Sequence, residues 1–365
     1  MQRLSLAGLA VLLHVLWADR REIIGPRLRD GAITLGILHR LEDLPVGWSD
    51  TAQEAAQYRV VPRADSARFG HVTGPLSWKR WLFLPEEVLF RAVRDDQDGG
   101  FTLSATPTAP LRAFLGVRGC DLAAIAIQDR IFAHDPAYCA RREATLIIAI
   151  NCLEPGGTCF CASMETGPQA RGAFDLRLTE WLDAGTPSYL VESGSAAGRK
   201  LLARLPIEAC TPEDQARVEQ ALAQAATRMG RQLDTGGLAE RLAARPGHRH
   251  WQQVAARCLG CANCTLVCPT CFCSTIEDRT DLSGTTAERV RRWDSCFDLE
   301  HSYIVGGNVR ADPAARYRQW LLHKLAYWHT QFGTSGCTGC GRCITWCPVG
   351  IDLTVEAAAV AGSEA

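Results

Sequence analysis

The 365-residue chain lacks a charge excess of either sign: its formal net charge is −1. That balance removes the electrostatic reason to expect nucleic acid or an anionic membrane surface as partner. It also lacks any apolar stretch approaching the ~20 residues that a membrane-spanning helix requires. The longest candidate runs from Leu4 to Ala18, where His14 interrupts it. Its positive end is the single Arg3, no small-x-small cleavage site follows, and Arg20-Arg21 lies on the wrong side for a twin-arginine signal. The expectation is a first helix burying Leu6, Leu9, Leu13 and Leu16, in a cytoplasmic protein with no membrane association. A dinucleotide fingerprint and a P-loop are absent too. Gly194-x3-Gly198 follows a strand-like segment but matches neither.

What the chain has is cysteine, 17 of them. An odd count in a long chain argues against a disulfide framework and for metal binding. Eight fall in two runs: Cys258-x2-Cys261-x2-Cys264-x3-Cys268-Pro269 and Cys337-x2-Cys340-x2-Cys343-x3-Cys347-Pro348. In a [4Fe–4S] domain of this type, three closely spaced thiolates take three corners of one cube and the fourth reaches the neighbouring cube. The expected ligand sets are therefore crossed: Cys258, Cys261, Cys264 and Cys347 for one cluster, Cys337, Cys340, Cys343 and Cys268 for the other. Zinc ordinarily takes two separated pairs, not overlapping runs that each end in Cys-Pro. Gly260, Gly339 and Gly341 lie where backbone must pass close to the cubes. With 68 residues between Cys268 and Cys337, cluster binding should be coupled to folding.

Upstream, Leu111–Val117 reads as a strand, Arg118–Asp121 as a turn and Leu122–Phe132 as a helix capped by Asp121. Ala144–Asn151 is a continuous apolar run typical of a buried parallel strand. Ser188–Glu192 reads as a further strand, followed by a helix to Leu205. A helix starts at Thr211-Pro212, Gly236-Gly237 and Pro246-Gly247 break the chain, and another helix starts at Asp312-Pro313. Turn signals in the first hundred residues include Pro45-Val46-Gly47 and Gly99-Gly100. The expected fold is α+β or α/β: an N-terminal α/β region followed by a mainly helical, ferredoxin-like domain with two [4Fe–4S] clusters. The expected divisions are 1–105 (mixed), 106–245 (α/β plus a helical linker) and 246–365 (dicluster).

Cys120 and Cys152 each follow a strand, and Cys159 and Cys161 come seven and nine residues after Cys152. If the strands are parallel neighbours, these four converge at the carboxyl edge of the sheet, where ligands of open α/β sheets sit. They form a candidate third site for an iron–sulfur cluster or zinc, set against the plainer reading of ordinary loop thiols. Cys271, Cys273 and Cys296 read as buried thiols beside the clusters, and Cys139 and Cys210 as incidental. His301, His323 and His329 lack metal-type spacing. Arg289, Arg291, Arg292, Arg310, Arg316 and Arg318 read as a solvated face, because residues 251–365 carry 10 Lys+Arg against 11 Asp+Glu.

Several stretches resemble the β subunit of cytosolic sulfhydrogenases, NADP-linked [NiFe] hydrogenases, and the related A-type iron–sulfur polypeptide of anaerobic sulfite reductase. They are 43–48 (DLPVGW), 74–80 (GPLSWKR), 116–121 (GVRGCD), 158–164 (TCFCASM), 268–273 (CPTCFC) and 293–296 (WDSC). The resemblance implies an electron conduit, rather than the catalytic component, of a cytosolic oxidoreductase complex. Its implied partners are a flavin subunit handling NAD(P)H and a catalytic [NiFe] hydrogenase or sulfite reductase subunit.

Overall fold

The computed structural model describes residues 1–51, 54–72, 74–95, 100–104, 109–183 and 185–362. Gly99 and the division expected at 105–106 lie outside the described residues.

Eight strands build the main sheet: β1 (Gln2–Ser5), β2 (Glu22–Arg29), β3 (Ala32–Ile37), β4 (Arg112–Val117), β5 (Thr145–Ile150), β6 (Leu176–Asp183), β7 (Thr186–Ser193) and β8 (Ile207–Ala209). Their order is β8-β1-β7-β6-β5-β4-β2-β3. The central four, β6-β5-β4-β2, run parallel, and antiparallel strands flank them. The apolar run of β5 explains its central place. Ile147 and Ala149 are buried in one layer and Ile148 and Ile150 in the other, so neither face meets water. Strands from residues 2–37 complete this sheet, and their Leu4, Ile23 and Ile24 are buried with its core residues.

The first helix, Leu6–Ala18, covers one face with Leu9, Leu12, Leu13 and Leu16, all fully buried. Leu12 takes a place expected for Leu6, which stays half-buried. The opposite face carries the helix Gly119–Ile131, whose Leu122 and Ile125 pack against Phe114 and Val117. That helix starts three residues earlier than expected and has Arg118, not Asp121, at its cap position. Asp121 falls inside the first turn, buried, with a different partner described below. The glycines at 194 and 198 serve packing. A Cβ on Gly198 would fall 1.8 Å from the Asp175 carbonyl oxygen, and Ser195 caps the following helix, Ala196–Leu202.

The helix Pro212–Thr227 begins as expected, with Thr211 and Asp214 forming a capping box. The C-terminal part is less helical than expected. A long hairpin, Ser274–Thr280 with Thr286–Trp293, joins Glu86–Arg94 and Phe101–Leu103 in a four-stranded antiparallel sheet. The second large core gathers Trp251, Tyr317, Trp320, Leu321, Ile344 and Leu353 around the two cysteine runs. Two expected surface arginines lie in the interior instead. Arg291 pairs with Glu87 and Asp135, and Arg316 donates to the Phe297 carbonyl at 2.8 Å. Among the described residues no helix is long and apolar enough to cross a membrane.

Candidate iron–sulfur centres

Both cysteine runs fold the same way. In the first, the Gly260 amide donates to Cys258 Sγ at 3.4 Å, Gly260 and Ala262 adopt positive φ, and a short turn of helix follows over Asn263–Leu266. In the second, the Gly339 amide donates to Cys337 Sγ at 3.4 Å, Gly339 and Gly341 adopt positive φ, and Arg342–Thr345 is helical. Glycine at 339 and 341 has a second cause. A Cβ there would fall 2.7 Å from the Cys161 backbone and 2.5 Å from the Thr158 carbonyl oxygen.

The sulfur neighbours cross between the runs. Cys258, Cys261, Cys264 and Cys347 line one pocket, walled by Phe297, Tyr317, Trp320 and Ile351, and Cys343 of the second run also borders it. The thiol of Cys264 is influenced most by Cys258, Cys347 and Cys261 and less by Cys268, whereas that of Cys343 is influenced most by Cys337, Cys340 and Cys268 and less by Cys264. Burial dominates both, pushing their pKa values well above the ordinary thiol range. It also pushes Cys337 up to about 12 and Cys340 up to about 11. Buried thiols in an apolar wall are poor anions by themselves, and a positively charged iron core is the kind of group that would displace their protons. The donor set, its crossing and its apolar lining fit a pair of [4Fe–4S] clusters, which supply one-electron carriage when bound.

Cys268 is the exception in acidity. A hydrogen bond from Cys271 holds its thiol well below the ordinary range, against burial, with Lys324, Thr270 and Lys79 adding to the effect. Lys324 Nζ donates to Cys268 Sγ at 3.2 Å and to Thr270 Oγ1 at 2.9 Å. Burial works against the lysine's charge, but Cys268 and Cys271 outweigh it and raise its pKa. Lys79, also buried, donates to the carbonyls of Thr265 and Cys271 and lies 4.3 Å above the Trp293 ring. Hydrogen bonds and positive charge at cluster sulfurs favour the reduced state. Lys324→Met should therefore lower the potential of any cluster held through Cys268, by on the order of 100 mV if one charge-assisted hydrogen bond is lost. Redox titration followed by EPR measures it.

The upstream cysteines do converge. Parallel β4 and β5 end side by side, delivering Cys120 and Cys152 to the same edge. Cys120, Cys152, Cys159 and Cys161 line one cavity with Arg118 and Cys340. Arg118 Nη1 donates to Cys152 Sγ at 2.9 Å, Cys161 touches Cys120 and Met229, and Cys159 Sγ lies 4.0 Å from the Cys340 carbonyl. This group therefore abuts the second cysteine loop, joined to it by the Phe160 amide on the Gly339 carbonyl at 2.9 Å. Among the described residues no three His, Cys, Asp or Glu side chains close on one point as the ligands of a single ion do. Cys139 and Cys210 stand apart from these groups, bonded to nearby carbonyls.

Sequence reasoning missed the buried lysines and the surroundings of Cys273. Lys79 lies in the 74–80 stretch, but nothing local marks it as buried beside sulfur. His301, which lacks metal-type spacing in the sequence, faces Asp294 Oδ2 through Nδ1 at 2.6 Å and also contacts Cys273.

The architecture and its cysteine pockets define an iron–sulfur electron-transfer protein, and residues 257–351 match the family model of a 4Fe–4S dicluster domain. The chain is 33% identical over 307 residues to sulfhydrogenase 2 subunit beta of Pyrococcus furiosus, covering 81% of this chain and 86% of that protein. It belongs to the sulfhydrogenase beta-subunit family. No solved structure matches it.

Proposed function

We propose that this chain is the electron-relay β subunit of a cytoplasmic NAD(P)-linked [NiFe] hydrogenase of the sulfhydrogenase type. It passes single electrons between the catalytic metal subunit and a flavin-bearing diaphorase subunit. The observation that carries the reading is the crossing of sulfur neighbours between two distant runs. In this reading Cys258, Cys261, Cys264 and Cys347 hold one cluster, and Cys337, Cys340, Cys343 and Cys268 the other. Every ligand position is then a protein thiolate, so the chain relays electrons without an open iron for substrate. Cys261 is exposed and flanked by exposed Leu259 and Leu266, which makes the first quartet the one that meets a partner subunit. The second quartet includes the buried Cys268. The likeness to a sulfhydrogenase beta subunit favours this reading over a place in an anaerobic sulfite reductase.

The upstream cavity extends the proposal. Cys120, Cys152, Cys159 and Cys161 hold a third metal centre, an iron–sulfur cluster or zinc, adjoining the second quartet. Anaerobically purified protein should contain about eight irons and eight labile sulfides from the two quartets, with paired one-electron EPR signals on reduction. A third cluster raises the count to about twelve. In that case Cys120→Ser and Cys159→Ser return it to about eight. Zinc at that site leaves the iron count at about eight and appears in zinc analysis. An iron count of about eight without zinc removes the third centre alone. Iron-free, folded protein removes the whole reading.

A further inference from the structure

Three cysteines near the clusters remain unassigned, and two of them have a geometry unlike the quartets. Cys273 closes the base of the 274–293 hairpin, its carbonyl accepting the Asp294 amide at 2.9 Å. This ladder pairing brings Cys296, two residues past Asp294, back onto Cys273. The Cys273 sulfur is in hydrogen-bond contact with the Cys296 thiol, with the Cys296 backbone N–H and with the His301 ring. Asp294 Oδ2 holds the other side of that ring through Nδ1. Both cysteines are half-buried, and the side chains of His301 and Asp294 keep 25% and 14% of their surface in solvent. Within the quartets the sulfurs of Cys264 and Cys343 are influenced by fellow members through charge, although sulfur–sulfur hydrogen bonds recur at Cys268–Cys271 and Cys120–Cys161. Two thiols within hydrogen-bond reach at the base of one hairpin suit a bond between them. Cys296 also lies within the electrostatic reach of Cys264 of the first quartet and of Lys324.

We propose that Cys273 and Cys296 form a redox-active thiol–disulfide pair open to small disulfides, with His301, oriented by Asp294, handling its proton. The nucleophile, base and orienting carboxylate follow the usual logic of an activated thiol. The acidities agree. The Cys296 hydrogen bond lowers Cys273 to about 4 against burial, helped by His301, and the contact with Cys273 lifts His301 to about 9. Oxidation proceeds by exchange. The Cys273 thiolate attacks a low-molecular-weight disulfide and expels one of its halves as a thiolate. The Cys296 thiol then gives up its proton to the expelled thiolate, and its sulfur attacks the mixed disulfide, forming the Cys273–Cys296 bond and releasing the second half as a thiolate that takes the His301 proton. Reduction by a one-electron donor such as reduced viologen takes two electrons and two protons. The S–S bond breaks, one proton ends on Cys296 and the other on His301, and Cys273 is left as the thiolate. The pair thus adds a two-electron store to a chain of one-electron carriers.

The test uses the whole iron-loaded protein under anaerobic conditions. Treatment with oxidised glutathione, trapping of free thiols and peptide mass analysis should find Cys273 linked to Cys296, and reduced viologen should release both thiols. Cys273→Ser and Cys296→Ser should keep the full iron content and lose only this linkage. Alkylation of Cys273 in reduced protein should stay fast into the acid range, and His301→Gln should slow it about tenfold at neutral pH and move its pH profile toward that of an ordinary thiol. Iron lost from either serine variant would make these residues cluster ligands and overturn the proposal. So would oxidised wild-type protein with both thiols free. A His301→Gln profile identical to wild type would overturn the histidine's part.

Discussion

Cys258→Ala combined with Cys347→Ala should cost the protein no more iron than either change alone. Each single variant should lose about four irons, and the pair should keep about four. Cys258→Ala combined with Cys268→Ala should instead lose both clusters, about eight irons. Cys347 is separated from Cys258 by the whole interval between the runs and belongs to the other run, so only crossed ligation gives this pattern. Two changes that disable one site are non-additive, whereas changes at independent sites add. Uncrossed ligation predicts the reverse, with the Cys258/Cys347 double variant empty and the Cys258/Cys268 double variant keeping one cluster. Iron analysis and EPR of the anaerobic proteins read the result. Stability should fall with the iron, because crossed quartets would staple segments 68 residues apart and the binding free energy of such centres is folding free energy. Apo-protein should accordingly show the second core, around Trp251, Tyr317 and Trp320, loosened while the sheet persists.

Arg342→Met should be the most damaging change outside the cysteines, costing about 3–5 kcal/mol. Arg342 Nη1 meets Asp121 Oδ1 at 2.9 Å with only 2% and 3% of the two side chains exposed. Burial disfavours the guanidinium's charge, but Asp121, Cys340 and Cys120 more than restore it. The pair ties the second cysteine loop to the helix that follows β4, and Arg342 Nε also holds the Gly74 carbonyl at 3.1 Å. Methionine would fill much of the space but leave the buried Asp121 carboxylate without its bonded guanidinium, with only the more distant charge of Arg118 nearby. Adding Asp121→Leu should recover a large part of the loss, since an apolar pair of similar volume removes the stranded charge. Urea midpoints of wild type, the single variant and the double variant measure it. A midpoint for Arg342→Met equal to that of the wild type would show that the pair contributes little to docking the loop.

Much of the fold was legible because its signals are local. The unbroken apolar run of β5, Thr211 and Asp214 around the start of a helix, and Pro313 one residue into another are short-range features that neighbouring backbone geometry enforces. The convergence of Cys120 and Cys152 also followed from strand pattern, once β4 and β5 are parallel neighbours. Other features were illegible for an equally physical reason. The joining of residues 2–37 to the α/β sheet depends on pairing β1 with β7, far apart along the chain, for which no local residue carries a signal. Arg291 and Arg316 look like surface arginines until Glu87, Asp135 and the Phe297 carbonyl are folded around them.

The sequence by itself determined the chemistry of the centre. Thiolate spacing in two Cys-Pro-terminated runs names the metal class, because only certain loop lengths let three sulfurs surround one cube. Tertiary structure alone decided the electrostatic setting: the lysine on Cys268, the arginine on Asp121, and the contact of Cys273 with Cys296 and His301. Ligand type and spacing are properties of neighbours along the chain. The field a sulfur feels is set by whatever the fold brings close and seals from water, and that partner can lie anywhere in the sequence.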